Sequence, residues 1–264
     1  MPSITSRRHQ LVQICREARA GGDDQPLLLD GWHLLREARS AGLAVDAVAL
    51  GVEPPGALEA QVVAELEQGG TQVVTVSADV LQAMSPVRTS SGVVALARRP
   101  VGGLARVFDA LPSLIVVAVD VQDPGNLGAL VRAADAAGAT GLIAAGVSAD
   151  PLGWKALRAA MGSAFRLPLA RVPDIDEVVS SARLLDVELV AFVPRAGTPL
   201  GRVDLRGPVC LLLGGEGPGL TQALLDVADV TVSIPMVPAV ESLNVAVAGA
   251  LAVYAAAEQR GVFR

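Results

Sequence analysis

Short apolar runs alternate with stretches of helical pattern along the chain, and polar turns rich in glycine separate them. The most continuous runs, Leu114–Asp120 and Val209–Leu213, are typical of strands that are buried on both faces of a parallel sheet. Alternating strands and helices predict an α/β fold. In a doubly wound fold of this kind, ligands bind at the carboxyl ends of the strands.

The first hundred residues contain their own alternating elements, which predict a small α/β domain. A segment at 98–103, made mostly of arginine, proline and glycine, has the composition of a linker. We therefore predict two domains, at 1–100 and 106–264. In the first, helices are expected at 6–20, 31–42, 57–68 and 78–84, and strands at 26–29, 44–50, 71–76 and 93–97.

The second domain is predicted to form the larger parallel sheet. Its last helix is unusually rich in alanine and glycine, so another backbone can approach it closely. The strands are expected at 114–120, 141–145, 188–193, 209–213 and 230–234, and the helices at 127–137, 154–164, 175–185 and from Leu243 onward.

Polar loops follow the last two of these strands. The turn Gly214–Gly219 is rich in glycine, which lets backbone groups come close to a ligand. Glu216 lies inside this turn, where a carboxylate does not serve packing. The second loop carries Ser242 and Asn244 just before the small-residue helix. Two strand ends, two polar loops and one such helix together predict a ligand pocket.

Cysteine and histidine are too few and too dispersed for several kinds of site. Cys15 and Cys210 lie far apart in sequence, so we expect two buried structural thiols rather than a disulfide framework or a thiolate metal cluster. His9 and His33 are not at metal-ligand spacing. A zinc site and a Ser-His-Asp triad are therefore not expected, and we predict chemistry without a metal.

The formal net charge of −6 argues against generic nucleic-acid binding. However, all of the 21 basic residues except Lys155 are arginine, the side chain best suited to bidentate phosphate contacts. The chain opens without a charged-then-apolar signal segment, and its apolar runs are too short to span a bilayer. A soluble, cytoplasmic protein is the expectation.

Three segments of the second domain resemble the motifs of the SpoU (TrmH-type) RNA ribose 2′-O-methyltransferases, which belong to the trefoil-knotted SPOUT class. They are Asp123–Ala139, Gly214–Leu220 with Ile234–Met236, and Glu241–Ala248, in the order that the family shows. The resemblance covers about half of the chain. It implies a knotted parallel-sheet domain that uses S-adenosylmethionine, and a homodimer.

The same resemblance implies roles for individual residues. Arg132 is expected to activate the ribose 2′-hydroxyl, and we favour electrostatic help to the developing oxyanion because a guanidinium is almost never deprotonated. An RNA phosphate that accepts the proton would also fit. The residues implied in catalysis are Asn126, Arg132, Glu216, Ser242 and Asn244, and those implied in cofactor binding are Leu213, Gly214, Gly215, Gly217, Ile234, Met236 and Leu243.

Simpler explanations exist for three of these residues. Arg132 also fits as a surface arginine on an amphipathic helix. Asn126, six residues before Arg132, is expected to be a loop residue that can converge with it, but it also fits as a plain turn asparagine. Asn244 also fits as the N-cap of the last helix. The sequence departs from the family at Gly215, where the family often has asparagine or serine, and the missing side chain could loosen the pocket.

The first domain resembles, more loosely, the RNA-binding domain of the ribosomal-protein L30e/L7Ae type that precedes the catalytic domain in this family. The similarity lies at Leu28–Ala38 and Ser90–Ala95. It implies that this small α/β domain binds the RNA substrate, and ribosomal RNA is favoured by analogy.

Other functions fit parts of the sequence. The same reaction on tRNA is one of them, and a non-catalytic RNA-binding or ribosome-assembly protein with the same fold is another. A nucleotide-dependent oxidoreductase fits poorly, because the turn Gly214–Gly219 lacks the glycine spacing and the acidic partner of a dinucleotide fingerprint.

Overall fold

The computed structural model describes residues 2–263, and its contacts divide the chain into two compact units. The first unit comprises residues up to Val101 together with Leu152–Phe165, and the second comprises Gly102–Pro151 and Arg166 onward. The sequence pattern places 152–165 in the second domain with the rest of 106–264, so the two divisions differ in this segment. The predicted division into an RNA-binding and a catalytic domain stays a prediction.

The elements before the segment 98–103 alternate as their pattern predicts. In chain order they are β1 (Ser3–Ile4), α1 (Gln10–Ala20), β2 (Leu27–Asp30), α2 (Trp32–Ser40), β3 (Val45–Leu50), α3 (Ala57–Gln68), β4 (Gln72–Val76), α4 (Ala78–Met84) and β5 (Val93–Ala97). The strands form one sheet in the order β1-β4-β3-β5-β2. In it β5 runs antiparallel to both of its neighbours, and the other pairs are parallel.

The remaining elements continue the alternation. They are α5 (Leu104–Phe108), β6 (Leu114–Val119), α6 (Pro124–Ala136), β7 (Gly141–Ala145), α7 (Trp154–Ala160), α8 (Ser163–Arg166), β8 (Leu169–Val172), α9 (Ile175–Leu184), β9 (Glu188–Phe192), β10 (Thr198–Pro199), a 3-10 turn (Leu200–Arg202), β11 (Val209–Gly214), α10 (Gln222–Val227), β12 (Val230–Ser233) and α11 (Val245–Gln259).

The second unit is built on a seven-stranded sheet with the order β10-β12-β9-β11-β6-β7-β8, in which every neighbouring pair is parallel. Its central strands β6 and β11 are apolar throughout and buried, as strands covered on both faces must be. Their register pairs Gly214 with Val119, so both strands end at the same edge of the sheet. The predicted α/β fold with a parallel sheet is confirmed.

Helix α1 and the helix predicted at 154–164 differ from the structure. Helix α1 begins at Gln10 rather than Ser6, because His9 caps it by accepting a hydrogen bond from the Leu11 N–H at 3.2 Å. The predicted helix at 154–164 is interrupted at Met161, whose backbone is left-handed with a φ of 57°, a conformation that no helix interior tolerates.

Both cysteines are buried thiols, as the sequence predicts. Burial raises the pKa of Cys15 and of Cys210 to about 12, so both stay protonated and unreactive near neutral pH. None of the helices within residues 2–263 is both long and apolar enough to cross a membrane.

Candidate functional site

A cavity of about 520 Å³ lies in the second unit, at the carboxyl ends of β9, β11 and β12. Its volume is in the range of sites that hold a cofactor-sized molecule. One wall is the turn after β11, and the other comes from the segment after β12 and the first turn of α11. The lining mixes apolar side chains with exposed backbone, which suits a flat, uncharged ring.

The glycines of the turn after β11 are required by close packing. A Cβ on Gly214 would lie 2.6 Å from the carbonyl carbon of Gly219, so the turn folds back on itself there. A Cβ on Gly215 would lie 2.0 Å from the carbonyl oxygen of Asp120, at the end of the adjacent strand. The Gly215 N–H also donates to the Val119 oxygen at 2.7 Å. Backbone at the end of the adjacent strand thus occupies the space that a side chain on Gly215 would need.

Three of the predicted catalytic side chains are joined by hydrogen bonds. The Asn126 amide donates to Glu216 Oε1 at 2.7 Å, and the Asn244 amide donates to Asn126 Oδ1 at 3.0 Å. We call this Asn244–Asn126–Glu216 chain the amide relay. Its members come from α6, from the turn after β11 and from the cap of α11, so three separate segments converge beside the cavity.

Asn126 lies in the first turn of α6 rather than in a loop. The helix begins at Pro124, and the Asp123 carboxylate caps it by accepting the Asn126 N–H at 2.7 Å. This cap fixes the backbone of Asn126 without using its side-chain amide, which forms the hydrogen bonds of the amide relay. The expectation of a loop residue at this position was wrong, since the Asp-Pro-Gly segment starts the helix and does not merely precede it.

Asn244 has both of the roles that the sequence leaves open. Its Oδ1 caps α11 by accepting the N–H groups of Ala246 at 2.9 Å and Val247 at 3.3 Å. Its amide nitrogen, on the other side of the same group, donates to Asn126. The helix cap thus orients the amide that completes the relay.

Arg132 is separate from the other predicted catalytic residues. It is exposed, does not line the cavity, and makes no hydrogen bond or ion pair with any residue of 2–263. In an α-helix six residues correspond to about 9 Å along the axis and about 120° of rotation. Asn126 and Arg132 therefore lie on different faces of α6. Within a single chain their side chains do not meet, contrary to the expectation.

The remaining predicted residues lie at the cavity. Ser242 lines it but makes no hydrogen bond to another described side chain. All of the predicted cofactor-binding residues belong to its lining: Leu213, Gly214, Gly215, Gly217, Ile234, Met236 and Leu243. Whether these residues hold a cofactor stays a prediction. Within 2–263, no cluster of His, Cys, Asp or Glu is arranged to bind a metal ion.

Several lining residues were not predicted from the sequence. Phe192, Val193 and Pro194 line the cavity at the end of β9, and Leu220 and Leu225 line it after the glycine-rich turn. The signal for the first three was present, because the predicted strand at 188–193 ends at a proline. It was not sufficient, since nothing in the sequence shows that β9 pairs with β11.

Known proteins similar to this chain support one family. Residues 113–254, more than half of the chain, match the SpoU rRNA Methylase family. The 23S rRNA (guanosine(2553)-2′-O)-methyltransferase RlmP of Bacillus subtilis is 32% identical, over 96% of this chain and 98% of its own length.

Solved structures agree with the sequence match. The AdoMet-bound rRNA methyltransferase from Sinorhizobium meliloti aligns with a TM-score of 0.86 at 27% identity, over 97% of both chains. The SpoU methyltransferase AviRb from Streptomyces viridochromogenes, in complex with AdoMet, aligns with a TM-score of 0.83 at 30% identity, over 96% of this chain and all of its own. The resemblance seen in the motifs is confirmed, and the chain belongs to the SpoU rRNA methylase family.

Proposed function

We propose that the protein transfers a methyl group from S-adenosylmethionine to a ribose 2′-hydroxyl of RNA. The observation that carries this proposal is the amide relay, which places a carboxylate and two amides beside a cavity of cofactor size. The enzyme class and the cofactor agree with the family and with relatives that were solved with AdoMet. The predicted enzyme class and the predicted cofactor are confirmed.

The cavity fits the cofactor in shape and in chemistry. Apolar side chains of Leu213, Ile234 and Met236 provide a slot for a ring, and the glycine turn presents backbone groups at its edge. S-adenosylmethionine supplies an already activated methyl group, so the residues of the chain need only align the acceptor and stabilise developing charge.

The polar residues of the site contribute to alignment and charge stabilisation in different ways, according to where they lie. The amide relay is fixed by a helix cap at Asn244 and by a capped first turn at Asn126, which makes it a rigid surface against which a ribose can be oriented. Arg132 supplies positive charge for the oxyanion that forms as the hydroxyl loses its proton, and the proton passes to an RNA phosphate or to water. Ser242, at the rim of the cavity, offers a further hydroxyl contact.

The favoured substrate is ribosomal RNA. Relatives that align over nearly the whole chain are named as 23S rRNA or rRNA methyltransferases. Transfer RNA is the alternative acceptor. We propose that the small α/β unit before the catalytic part is an RNA-binding domain of the ribosomal-protein L30e type. A cytoplasmic location and a reaction without a metal ion remain predictions.

A trefoil knot and a homodimer complete the proposal. The sheet order supports the knot, because β11 lies between β9 and β6, two strands that precede it in the chain.

An apolar stripe on α11 supports the dimer. Val247, Leu251 and Tyr254 share one helix face at the spacing i, i+4, i+7, and each is 45% to 48% exposed. Pairing of this face with a second copy would cover it, and α6, which packs against α11, would then lie close to the interface.

The direct test is transfer of labelled methyl from S-adenosylmethionine to unmodified ribosomal RNA and transfer RNA, offered separately. We expect label in ribosomal RNA, and nucleoside digestion is expected to place it on the 2′-oxygen. Label in transfer RNA alone would favour the alternative acceptor. Failure of both naked RNAs and of ribosomal particles, with the cofactor still bound, would favour a non-catalytic RNA-binding protein.

Asn244→Asp is expected to separate the two roles of Asn244. The aspartate still caps α11 and suits the helix N-terminus, but it has no amide to donate to Asn126. We expect unfolding free energy within about 0.5 kcal/mol of wild type and kcat lowered about tenfold, as the loss of one well-placed hydrogen bond implies. Asn244→Ala, the comparison variant, is expected to lose about 1 kcal/mol of stability as well. Wild-type turnover of Asn244→Asp, measured with saturating cofactor, would show that the relay is dispensable.

A further inference from the structure

An exposed arginine outside the proposed machinery connects two walls of the cavity. Arg195 directly follows Phe192–Pro194, which line the cavity from the end of β9. Its Nη2 donates to the carbonyl oxygens of Pro238 at 3.0 Å and Val240 at 2.7 Å. Both acceptors belong to residues 235–243, the segment between β12 and α11, which we call the cavity loop.

The cavity loop has few other attachments. Its backbone forms one internal turn, from the Val240 N–H to the Val237 oxygen at 3.1 Å. Among residues 2–263, the two bonds from Arg195 are the hydrogen bonds that join this loop to another segment. The loop nevertheless contributes Met236, Ser242 and Leu243 to the lining, so its conformation decides the shape of the site.

By contrast, the segment that carries Arg195 is held firmly. The Val193 N–H donates to the Val232 oxygen at 2.9 Å, and Ser233 Oγ donates to the Gly197 oxygen at 3.0 Å. A Cβ on Gly197 would lie 2.6 Å from the carbonyl carbon of Val232, so this turn packs directly on β12. Arg195 therefore extends from a fixed base to a loop that is otherwise weakly attached.

We propose that Arg195 is a positioning residue for the cofactor site, because its guanidinium holds the cavity loop in the conformation that lines the cavity. The inference rests on the proposed function only in naming S-adenosylmethionine as the occupant. A loop that lines the site for only a fraction of the time lowers the apparent affinity by that fraction. The chemistry itself is not touched, since Arg195 does not contact the amide relay.

Arg195→Ala, Arg195→Lys and the control Arg202→Ala test this assignment. Arg202 is another exposed arginine of the same unit, with no hydrogen bond or ion pair to the described residues. In Arg195→Ala we expect the Kd and KM for S-adenosylmethionine to rise about tenfold, with kcat at saturating cofactor within about twofold of wild type. Lysine is expected to restore most of the affinity, because both bonds come from one nitrogen atom.

A second readout reports on the loop itself. Glu241 lies in the cavity loop, so a glutamate-specific protease can cut after it, and peptide mapping identifies that cut. We expect faster cleavage there in Arg195→Ala than in wild type or Arg202→Ala, with cofactor absent. Equal cleavage rates, or a lowered kcat with unchanged KM, would overturn the proposal. Because the cleavage test uses the free protein, it remains decisive even if wild type binds no S-adenosylmethionine, which would contradict the proposed function instead.

Discussion

Arg132→Ala is expected to lower the rate of methyl transfer by about 10²–10³-fold while the cofactor binds as tightly as before. The loss follows from removing the positive charge that stabilises the developing oxyanion. The affinity stays because Arg132 does not line the cavity. Stability should change by less than about 0.5 kcal/mol, since the side chain is exposed and makes no bond to the described residues. Single-turnover transfer and calorimetric titration with S-adenosylhomocysteine measure the two quantities separately.

Two companion variants make this result specific. Arg132→Lys keeps the charge but loses the planar fork, so an intermediate rate is expected if geometry matters in addition to charge. Arg202→Ala, which removes an exposed arginine elsewhere in the same unit, should retain wild-type turnover. Wild-type turnover of Arg132→Ala itself would show that the catalytic assignment is wrong.

The position of Arg132 raises the question of which chain it serves. It is separated from the amide relay within its own chain, and it lies on α6, which packs against α11, the helix that carries the proposed dimer face. We expect the Arg132→Ala and Glu216→Ala proteins each to be nearly inactive alone, because each lacks one residue of the proposed machinery. If Arg132 serves the partner's site, a mixture of the two variants forms hybrid dimers with one intact site. If the chains pair at random, about half of the dimers are hybrids, and each hybrid has one intact site of two. Recovery of activity up to about a quarter of wild type would therefore show that Arg132 serves the site of the other chain. No recovery would place it in the same chain as Glu216.

Local pattern was sufficient for the long elements of this fold. Continuous apolar runs predicted β5 and β7 to the residue, and β6 and β11 to within one residue at their ends, because strands buried on both faces need no polar positions. The short elements β1, β8, β10, α5 and α10 were missed. Each is too brief to establish a period, and β8 also carries the polar Arg171, which interrupts the apolar pattern.

Motif resemblance predicted the members of the site but not their geometry. Asn126, Glu216 and Asn244 were named, yet the direction of their hydrogen bonds depends on the capped starts of α6 and α11. The separation of Arg132 follows from Asn126 being helical, which an Asp-Pro-Gly turn signal obscured. The insertion of β11 between β9 and β6 is a non-local pairing, and no local pattern encodes it.

Gly215→Ser is expected to weaken cofactor binding about tenfold or more, although it restores a residue type that the family often has there. A Cβ at this position would lie 2.0 Å from the Asp120 oxygen and 2.6 Å from its carbonyl carbon. The obstacle is backbone, so no side chain can rotate aside. Asp120 is also held in place, with a left-handed φ of 57° and its carboxylate accepting the Val147 N–H at 2.9 Å.

The strain has to be relieved by separating the ends of β6 and β11, which moves the backbone of Leu213–Gly215 in the cavity wall. Overpacking of this kind costs about 1–3 kcal/mol, and a tenfold loss of affinity corresponds to about 1.4 kcal/mol. The unfolding midpoint should fall by about 2–4 °C for each kcal/mol in a chain of this size. Gly201→Ser is the matched control, because a Cβ there meets no atom within 4 Å. If Gly215→Ser instead binds S-adenosylmethionine more tightly than wild type, the glycine loosens the pocket and the packing of Asp120 against it is not what shapes the site.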